Sequence, residues 1–174
     1  MINFKNSTFI CLDFPLTMVE KIKSIRQNLD SKIAWKPVVI TLAGSSGCGH
    51  ISDKQDILEA NEIISRLVEN IPPIKLQFSN INSFKGTNIF FFEFQEEKLL
   101  TEIHYKIKKC GIKFYDNEYP FKPHCTIHFN GEISNILKQK IKNTVIPKDE
   151  FIIDTLSFIS KYEYLSKFRL NGHV

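Results

Sequence analysis

Hydrophobic positions recur along the chain with two different spacings, and the spacing switches several times from one end to the other. Alternation of apolar and polar residues predicts strands at residues 8–14, 38–43, 74–81, 88–94, 123–129, 151–160 and 164–170. A spacing of three or four residues predicts amphipathic helices at residues 18–29, 57–68, 99–107 and 132–145. Helices separated by strands, with hairpins among them, are typical of an α+β fold.

The strand predicted at residues 123–129 carries an unusual set of side chains. Alternation places His124, Thr126 and His128 on one face and apolar residues on the other. Packing alone does not explain two imidazoles and a hydroxyl on one face of a half-buried strand. This face therefore predicts a site that carries chemistry.

A similar stretch occurs upstream. Trp35-Lys36-Pro37 precedes an alternating strand, as Phe121-Lys122-Pro123 does, and each stretch follows a strand-then-helix pattern. The repetition indicates a duplicated unit. The upstream copy has no histidine: Val39 takes the place of His124 when the threonines are aligned, and Val38 does so when the Lys-Pro pairs are aligned.

These two stretches resemble the paired motifs of the 2H phosphoesterase superfamily, which contains the bacterial 2'-5' RNA ligase-like proteins and the cyclic phosphodiesterases. Pro123-His124-Cys125-Thr126-Ile127 is similar to the second His-x-Thr motif, and Val39-Ile40-Thr41-Leu42 lies where the first is expected. Residues 8–15 also resemble the family's first strand. The resemblance covers nearly the whole chain and implies a single domain over residues 1–174. It implies two pseudo-symmetric lobes of antiparallel sheet, with helices outside and a central cleft.

The resemblance also implies a mechanism and a set of site residues. In the family, two histidines face each other across the cleft, one as general base and one as acid, and cleave a 2',3'-cyclic phosphate or a 2'-5' linkage. Imidazole suits this work because it titrates near ~6.5. Neither a metal nor another cofactor is expected. His124 and Thr126 carry over as catalytic residues and Thr41 as a ligand contact, whereas the carry-over does not reach Val39. Val39 is expected only to line the ligand site, and Lys122 is expected to be a nearby lysine that helps to recognise a phosphate.

Two other histidines are alternative sources of the second acid or base. His128 is expected on the same face as His124, as a catalytic group or as a rim residue. His50-Ile51-Ser52 spells His-x-Ser at the end of the glycine-serine loop 44–50, which either connects two elements or touches the ligand. His50 is a displaced catalytic group or a residue at the ligand rim.

Further ligand contacts are expected at the last hairpin. In the family, aromatic and basic residues in comparable regions often line the cleft, which points to Tyr162 and Tyr164 as surfaces for a base. A role in the core or at the sheet edge is the alternative for both tyrosines. Two polar residues on predicted helices are expected to serve the helices alone. Arg26 should face water on the first helix, and His104 should pack on the surface of the third.

Composition limits the partners. The chain has 174 residues, 43% of them hydrophobic, and a net charge of +4, which tolerates an anionic ligand but does not indicate a duplex-binding surface. An apolar run near the ~20 residues of a membrane span is missing, and so is a basic-then-apolar leader, so a cytoplasmic protein without membrane contact is expected. The four cysteines show no paired spacing, which favours free thiols over a disulfide or zinc.

Three functions follow from these patterns. The first is a protein that binds a nucleotide phosphodiester, cyclic or 2'-5'-linked, such as a nucleotide second messenger or an RNA end, and sequesters it because the first histidine is lost. The second is an active, metal-independent phosphodiesterase that pairs His124 with a substituted group. The third is a structural or protein-interaction role with His124 idle. The oligomeric state stays open.

Overall fold

A computed structural model describes residues 2–172. Its strands are β1 Thr8–Asp13, β2 Val39–Ala43, β3 Ser45–Ser46, β4 Cys48–Gly49, β5 Ile74–Leu76, β6 Phe78–Ser83, β7 Phe90–Phe94, β8 Cys125–His128, β9 Phe151–Ile153, β10 Thr155–Ser160 and β11 Glu163–Arg169. Its helices are α1 Leu16–Leu29, α2 Ile57–Val68, α3 Lys98–Lys108 and α4 Asn135–Lys142, with a short 3-10 helix at Ser31–Ile33. The predicted α+β class is confirmed.

Two antiparallel sheets carry the two motif strands, each at an edge. The larger sheet has the strand order β11-β10-β1-β2, and the smaller has the order β6-β7-β8. β5 pairs with β9, and β3 pairs with β4, as two further strand pairs. Helix α1 packs against β8, whereas α3 packs against β2. Because β2 and β8 are edge strands, one side of each has no neighbouring strand in its sheet. That side can border the space between the two sheets.

The core lies on the inner face of the larger sheet and continues beneath the smaller one. On β2, Ile40 and Leu42 are fully buried, while Val39 and Thr41 on the opposite face are only partly buried. This is the alternation expected of a strand with one face in the core. Burial of Ile40 and Leu42 fixes β2 against the core, so Val39 and Thr41 point away from the core.

A cluster of phenylalanines closes the core between the sheets. Phe78 lies 4.9 Å from Phe92 and 5.1 Å from Phe151, measured between ring centroids, and Phe14 packs against both Phe78 and Phe151. These rings come from four different segments of the chain. Such contacts add to the burial of apolar area that holds the sheets together.

Three predicted elements differ from the structure. The strand expected at residues 74–81 breaks at Gln77, because β5 pairs with β9 while β6 pairs with β7. The strand expected at 151–160 breaks at Asp154 in the same way, as the chain passes from β9 to β10. The helix expected at 132–145 is α4, which begins after Ser134, whose Oγ accepts a hydrogen bond from the Leu137 N–H. No helix within residues 2–172 is long and apolar enough to cross a bilayer.

Candidate anion-binding cleft

A cleft of about 470 Å³ lies between β2 and β8. The residues that line it are Asn6, Ser7, Phe9, Cys11, Arg26, Lys36, Pro37, Val39, Thr41, His124, Thr126, Phe129, Ile159, Lys161 and Tyr162. The structure therefore brings both motif stretches to one cavity, although they lie far apart in the sequence. Val38 is buried in the core, so Val39 is the valine of this stretch that faces the cleft.

His124 is oriented by the backbone before β8. Its Nδ1 lies 2.7 Å from the carbonyl oxygen of Lys122, so Nδ1–H donates there and Nε2 is left as an acceptor. The rings of Phe84 and Phe91 pack against the imidazole at 5.0 and 5.1 Å. Burial lowers the pKa of His124, which favours the neutral form. The arrangement suits a proton acceptor.

Thr41 and Thr126 present hydroxyl groups from the two walls. Thr41 lies opposite Cys11 in the pairing of β1 with β2, and the Cys11 thiol is 3.9 Å from Thr41 Oγ1. Burial raises the pKa of Cys11 to about 12, so this thiol stays protonated and does not act as a nucleophile. The polar chemistry of this wall is therefore that of the Thr41 hydroxyl.

Arg26 reaches the cleft from α1 and is almost completely buried, with 1% of its surface exposed. Its Nε and Nη2 donate to the Thr126 carbonyl oxygen at 3.1 and 2.7 Å. Its Nη1 donates to the carbonyl oxygens of Lys36 and Pro37 at 2.9 and 3.1 Å. The expectation that Arg26 faces water is wrong. Met18, Ile22 and Arg26 form one buried row at a spacing of four residues, and this row was the sequence signal for its burial.

The charges of the cleft are all positive. Arg26, Lys36 and Lys161 line it, and none of its lining residues within the described chain is Asp or Glu. Lys36 Nζ lies 4.2 Å from the centroid of the Phe129 ring and 5.3 Å from that of Tyr162. A cavity with cations, hydroxyls and no carboxylate attracts an anion.

Lys122, expected as a phosphate-binding lysine, does not line the cleft. Its Nζ lies 2.7 Å from Glu97 Oε1 and 3.2 Å from Glu93 Oε1. Burial acts to lower the pKa of Lys122, but the two carboxylates outweigh it and the pKa is raised. The charge of Lys122 is thus already neutralised by the protein.

His128 lies on the other face of β8 from Thr126. Thr126 pairs with Phe91 and His128 pairs with Phe90, with a register shift between the two pairs, so the alternation expected from the sequence is broken. The His128 imidazole is buried, and its Nδ1 donates to the carbonyl oxygen of Asn88 at 2.9 Å. The prediction that His128 shares a face with His124 is wrong.

His50 lies behind the rim of the cleft. Its Nε2 is 3.3 Å from Ser7 Oγ, and Ser7 lines the cleft, whereas His50 itself does not. No residue of the stretch 44–50 lines the cleft either, and the stretch forms the short hairpin of β3 and β4 rather than a plain loop.

His104 is buried beside Gly47 of this stretch rather than exposed on the surface of α3. Its Nδ1 donates to the Leu42 carbonyl oxygen at 2.7 Å, and its ring stacks on Phe121 at 4.0 Å. The expectation of a surface position for His104 is wrong. The residue instead supports β2 from behind.

The two tyrosines of the last hairpin differ. Tyr162 lines the cleft, while Tyr164 does not and lies under Lys167 Nζ at 4.0 Å. Burial raises the pKa of Tyr164 to about 12. Lys161 and Tyr162 form the two-residue turn, with φ of 48° and 69°. Trp35, which the sequence indicated as part of the repeated stretch but not as a site residue, packs edge-on against Tyr162 at 5.0 Å and remains 58% exposed.

Two antiparallel sheets, each with a motif strand at its edge beside a cationic cleft, define a two-lobed fold of the phosphoesterase type. The chain belongs to the 2'-5' RNA ligase superfamily, whose family model matches residues 14–164. This confirms the resemblance to the 2H phosphoesterases.

Solved structures confirm the fold. The structure of TT0787 from Thermus thermophilus has a TM-score of 0.64 at 14% identity, over 97% of this chain and 100% of that one. The structure of E. coli LigT in the apo form has a TM-score of 0.57 at 14% identity, over 94% of this chain and 96% of that one. LigT complexed with 3'-AMP gives 0.59 at 13% identity, over 96% and 99%. No curated protein sequence matches the chain at a significant level.

Proposed function

We propose that the protein binds a nucleotide phosphodiester in the cleft and turns it over poorly, so that it acts by sequestering the ligand. The observation that supports this most directly is the charge of the cleft: three cations and two motif threonines surround His124, with no carboxylate among the lining residues. The proposed ligand is a cyclic or 2'-5'-linked nucleotide, a nucleotide second messenger or an RNA end. Residues 1–174 are proposed to act as a single domain in the cytoplasm.

The phosphate is proposed to lie between the two walls. The hydroxyls of Thr41 and Thr126 donate to its oxygens, and the nearby lysine and arginine side chains balance its charge. His124 accepts or donates a proton through Nε2, since Nδ1–H is held by the Lys122 carbonyl oxygen. E. coli LigT, which shares the fold, has been solved with 3'-AMP, and this supports a nucleotide as the ligand class.

The nucleoside is proposed to lie towards Tyr162. The ring of Tyr162 lines the cleft, with Trp35 packed against it, and stacking of a base on an aromatic ring contributes about 1–3 kcal/mol. Tyr162 is held by the two-residue turn between β10 and β11, in which both residues have the positive φ that tight hairpins favour. Tyr164 is proposed to support the hairpin from outside the cleft.

Weak turnover follows from the β2 wall. A valine neither donates nor accepts a proton, and the arginine beside it stays protonated at any pH at which the protein is folded. By the family mechanism, the loss of one acid or base lowers the rate by roughly 10²–10⁴. Val39 is therefore proposed to contribute apolar contact to the ligand and no chemistry.

The alternative function is metal-independent cleavage of a 2',3'-cyclic or 2'-5' phosphodiester. One observation favours it: His50 Nε2 lies within hydrogen-bond reach of Ser7 Oγ, which faces the cleft. A hydroxyl between an imidazole and the ligand can relay a proton. Under this alternative, His50 acts through Ser7 and completes the pair with His124.

One experiment separates the two functions. The purified protein is mixed with cyclic, 2',3'-cyclic and 2'-5'-linked nucleotides, the mixture is heated to release the bound ligand, and the nucleotides are analysed by chromatography. Return of intact ligand supports sequestration. Return of a ring-opened or shortened product, lost in both His124→Ala and His50→Ala, supports the enzyme. Absence of binding across the whole panel would contradict both.

His128→Ala is the matched control for His124→Ala. It removes an imidazole from the same strand but from the opposite face, where it bonds to Asn88. Both variants are first checked for folding by circular dichroism, because His128 is buried. A ligand effect limited to His124→Ala locates binding in the cleft.

A further inference from the structure

We propose that Arg26 supplies the permanent charge of the anion site and holds its two walls at a fixed separation, so that a bound phosphate is recognised by this buried guanidinium. This inference rests on the proposed function. The family resemblance assigned no role to Arg26, and the helical pattern predicted that its side chain is exposed to solvent.

The contacts of Arg26 join the two walls. Thr126, whose carbonyl oxygen takes two of its hydrogen bonds, belongs to β8, while Lys36 and Pro37 lead directly into β2. One side chain from α1 thus fixes the position of both motif stretches. A change at this position moves Thr126 and Thr41 relative to each other.

The charge of Arg26 has no carboxylate to balance it. Among residues 2–172, no Asp or Glu oxygen forms a salt bridge with Arg26, and its hydrogen-bond acceptors are neutral carbonyl groups. A buried charge without a counterion is costly, and burial lowers the pKa of Arg26. Because Arg26 lines the cleft, an anion bound there would supply the missing counterion.

One of the donors of Arg26 is not used by these four hydrogen bonds. A guanidinium has five N–H groups, and the four hydrogen bonds to backbone carbonyls use four of them. The fifth belongs to Nη2. A phosphate oxygen that accepts it gains a charge-assisted hydrogen bond, which is stronger than a bond between neutral groups.

The two lysines of the cleft are placed differently. Lys161 is exposed and Lys36 is partly exposed, so salt screens their charges more than that of the buried guanidinium. Arg26 therefore makes the larger contribution to anion affinity at physiological ionic strength. Arg26 cannot replace a histidine in proton transfer, because its guanidinium stays protonated. This agrees with a site that binds the ligand without efficient turnover.

The wild-type protein allows a direct test by NMR. The chain has three arginines, and the side chains of Arg66 and Arg169 are 73% and 75% exposed, so the Arg26 Nε–Hε signal is the one protected from exchange. Inorganic phosphate and 3'-AMP are the probes. We expect both to shift the Arg26 signal and to leave the other two in place. Saturation binding without movement of the Arg26 signal would overturn the proposal.

Three variants extend the test. Arg26→Gln should weaken phosphate and 3'-AMP binding by about 10- to 100-fold, the cost of losing a hydrogen bond from a charged group. This loss should persist at high salt, because the buried charge is screened little. Arg26→Lys keeps the charge and should retain more of the affinity than Arg26→Gln does. Lys23→Gln is the matched control, because it removes the same charge from an exposed position on the same helix, and it should bind as the wild type does.

The outcomes separate this inference from the proposed function. If the wild type binds neither probe nor any nucleotide, the proposed function fails. If the wild type binds, but Arg26→Gln matches Lys23→Gln in affinity at both low and high salt, only the role of Arg26 fails. If Arg26→Gln does not fold, the NMR signal of the wild type and the Arg26→Lys affinity decide the question.

Discussion

The two walls of the cleft are built from the same kind of edge strand but present different side chains. β2 presents Val39 and Thr41, while β8 and the residue before it present Thr126 and His124. Each wall thus has a hydroxyl, and one wall has an imidazole. The comparison separates the two tasks of such a site, because hydroxyls and cations are sufficient to hold a phosphate, whereas proton transfer to and from it requires a titratable group on each side.

A histidine lies at each wall, half-buried in the second and buried in the first. His124 lies in the cleft with Nε2 free to act, whereas His104 lies behind β2 with Nδ1–H on the Leu42 carbonyl oxygen. The histidine of the first wall therefore bonds to the backbone, and the histidine of the second faces the cleft. Three changes test this contrast.

The largest effect is expected from Val39→His, which gives both walls an imidazole. We expect cleavage of 2',3'-cyclic nucleotides to rise by roughly 10²–10⁴, the contribution of one positioned acid or base. Asp13 lies opposite Val39 on β1, and its Oδ1 is buried without a hydrogen-bond partner in the described chain, so it can accept from the new imidazole. Steady-state turnover measured by chromatography checks the result.

Val39→Asn is the control for this gain, because an amide forms hydrogen bonds without transferring protons near neutral pH. The gain should also disappear in the double variant Val39→His with His124→Ala. A Val39→His protein that folds, binds the nucleotide and still cleaves no faster than the wild type contradicts the proposal that the missing histidine limits turnover.

A smaller effect is expected from Gly47→Ala, which disturbs the support of the β2 wall. Gly47 has a φ of +76°, and an added Cβ would lie 2.3 Å from the His104 Cε1 atom. We expect a loss of about 2–4 kcal/mol in the free energy of unfolding, from the left-handed backbone and the displaced imidazole. Urea denaturation measures it.

Gly86→Ala is the matched control, since Gly86 has a φ of +77° with no atom within 4 Å of the added Cβ. It should cost only the backbone part, about 1–2 kcal/mol. Equal losses in the two variants would show that the close packing of His104 against Gly47 does not contribute to the free energy of unfolding.

The smallest effect is expected from pH. Burial lowers the pKa of both His104 and His124, so each binds fewer protons in the folded state than in the unfolded state. The free energy of unfolding is therefore unaffected by these two histidines above their ordinary pKa of ~6.5. It falls as the pH decreases through that value towards the pKa of the folded state. Melting temperatures between pH 7.5 and pH 5 should show this decline.

Saturating phosphate distinguishes the two histidines. An anion in the cleft favours protonated His124, so it should remove the part of the decline that His124 causes, whereas the part due to His104 should remain. His124→Ala should give the same shallow slope without phosphate. A wild-type slope that phosphate leaves unchanged would place the anion elsewhere.

Local patterns were sufficient for much of the fold and for part of the site. Alternation predicted a strand at residues 38–43, and in β2 the apolar Ile40 and Leu42 are buried while Thr41 is not, because a strand with one face in the core has a fixed period of two. The repeated Lys-Pro-strand pattern indicated a duplicated unit, and the family resemblance implied that both motif stretches lie at one cleft. Hydrophobic period and internal similarity depend on near neighbours in the chain, so they can be identified without the structure.

The remaining features depend on contacts between distant segments, which only the tertiary structure decides. A register shift between β7 and β8 turned His128 away from His124, and no pattern within β8 itself indicates such a shift. Arg26 is polar, yet it is buried because carbonyl groups from two other segments meet its guanidinium. The sequence alone determined the family pattern, the elements and the absence of a histidine at Val39, while the long-range pairing determined which polar groups share the cleft.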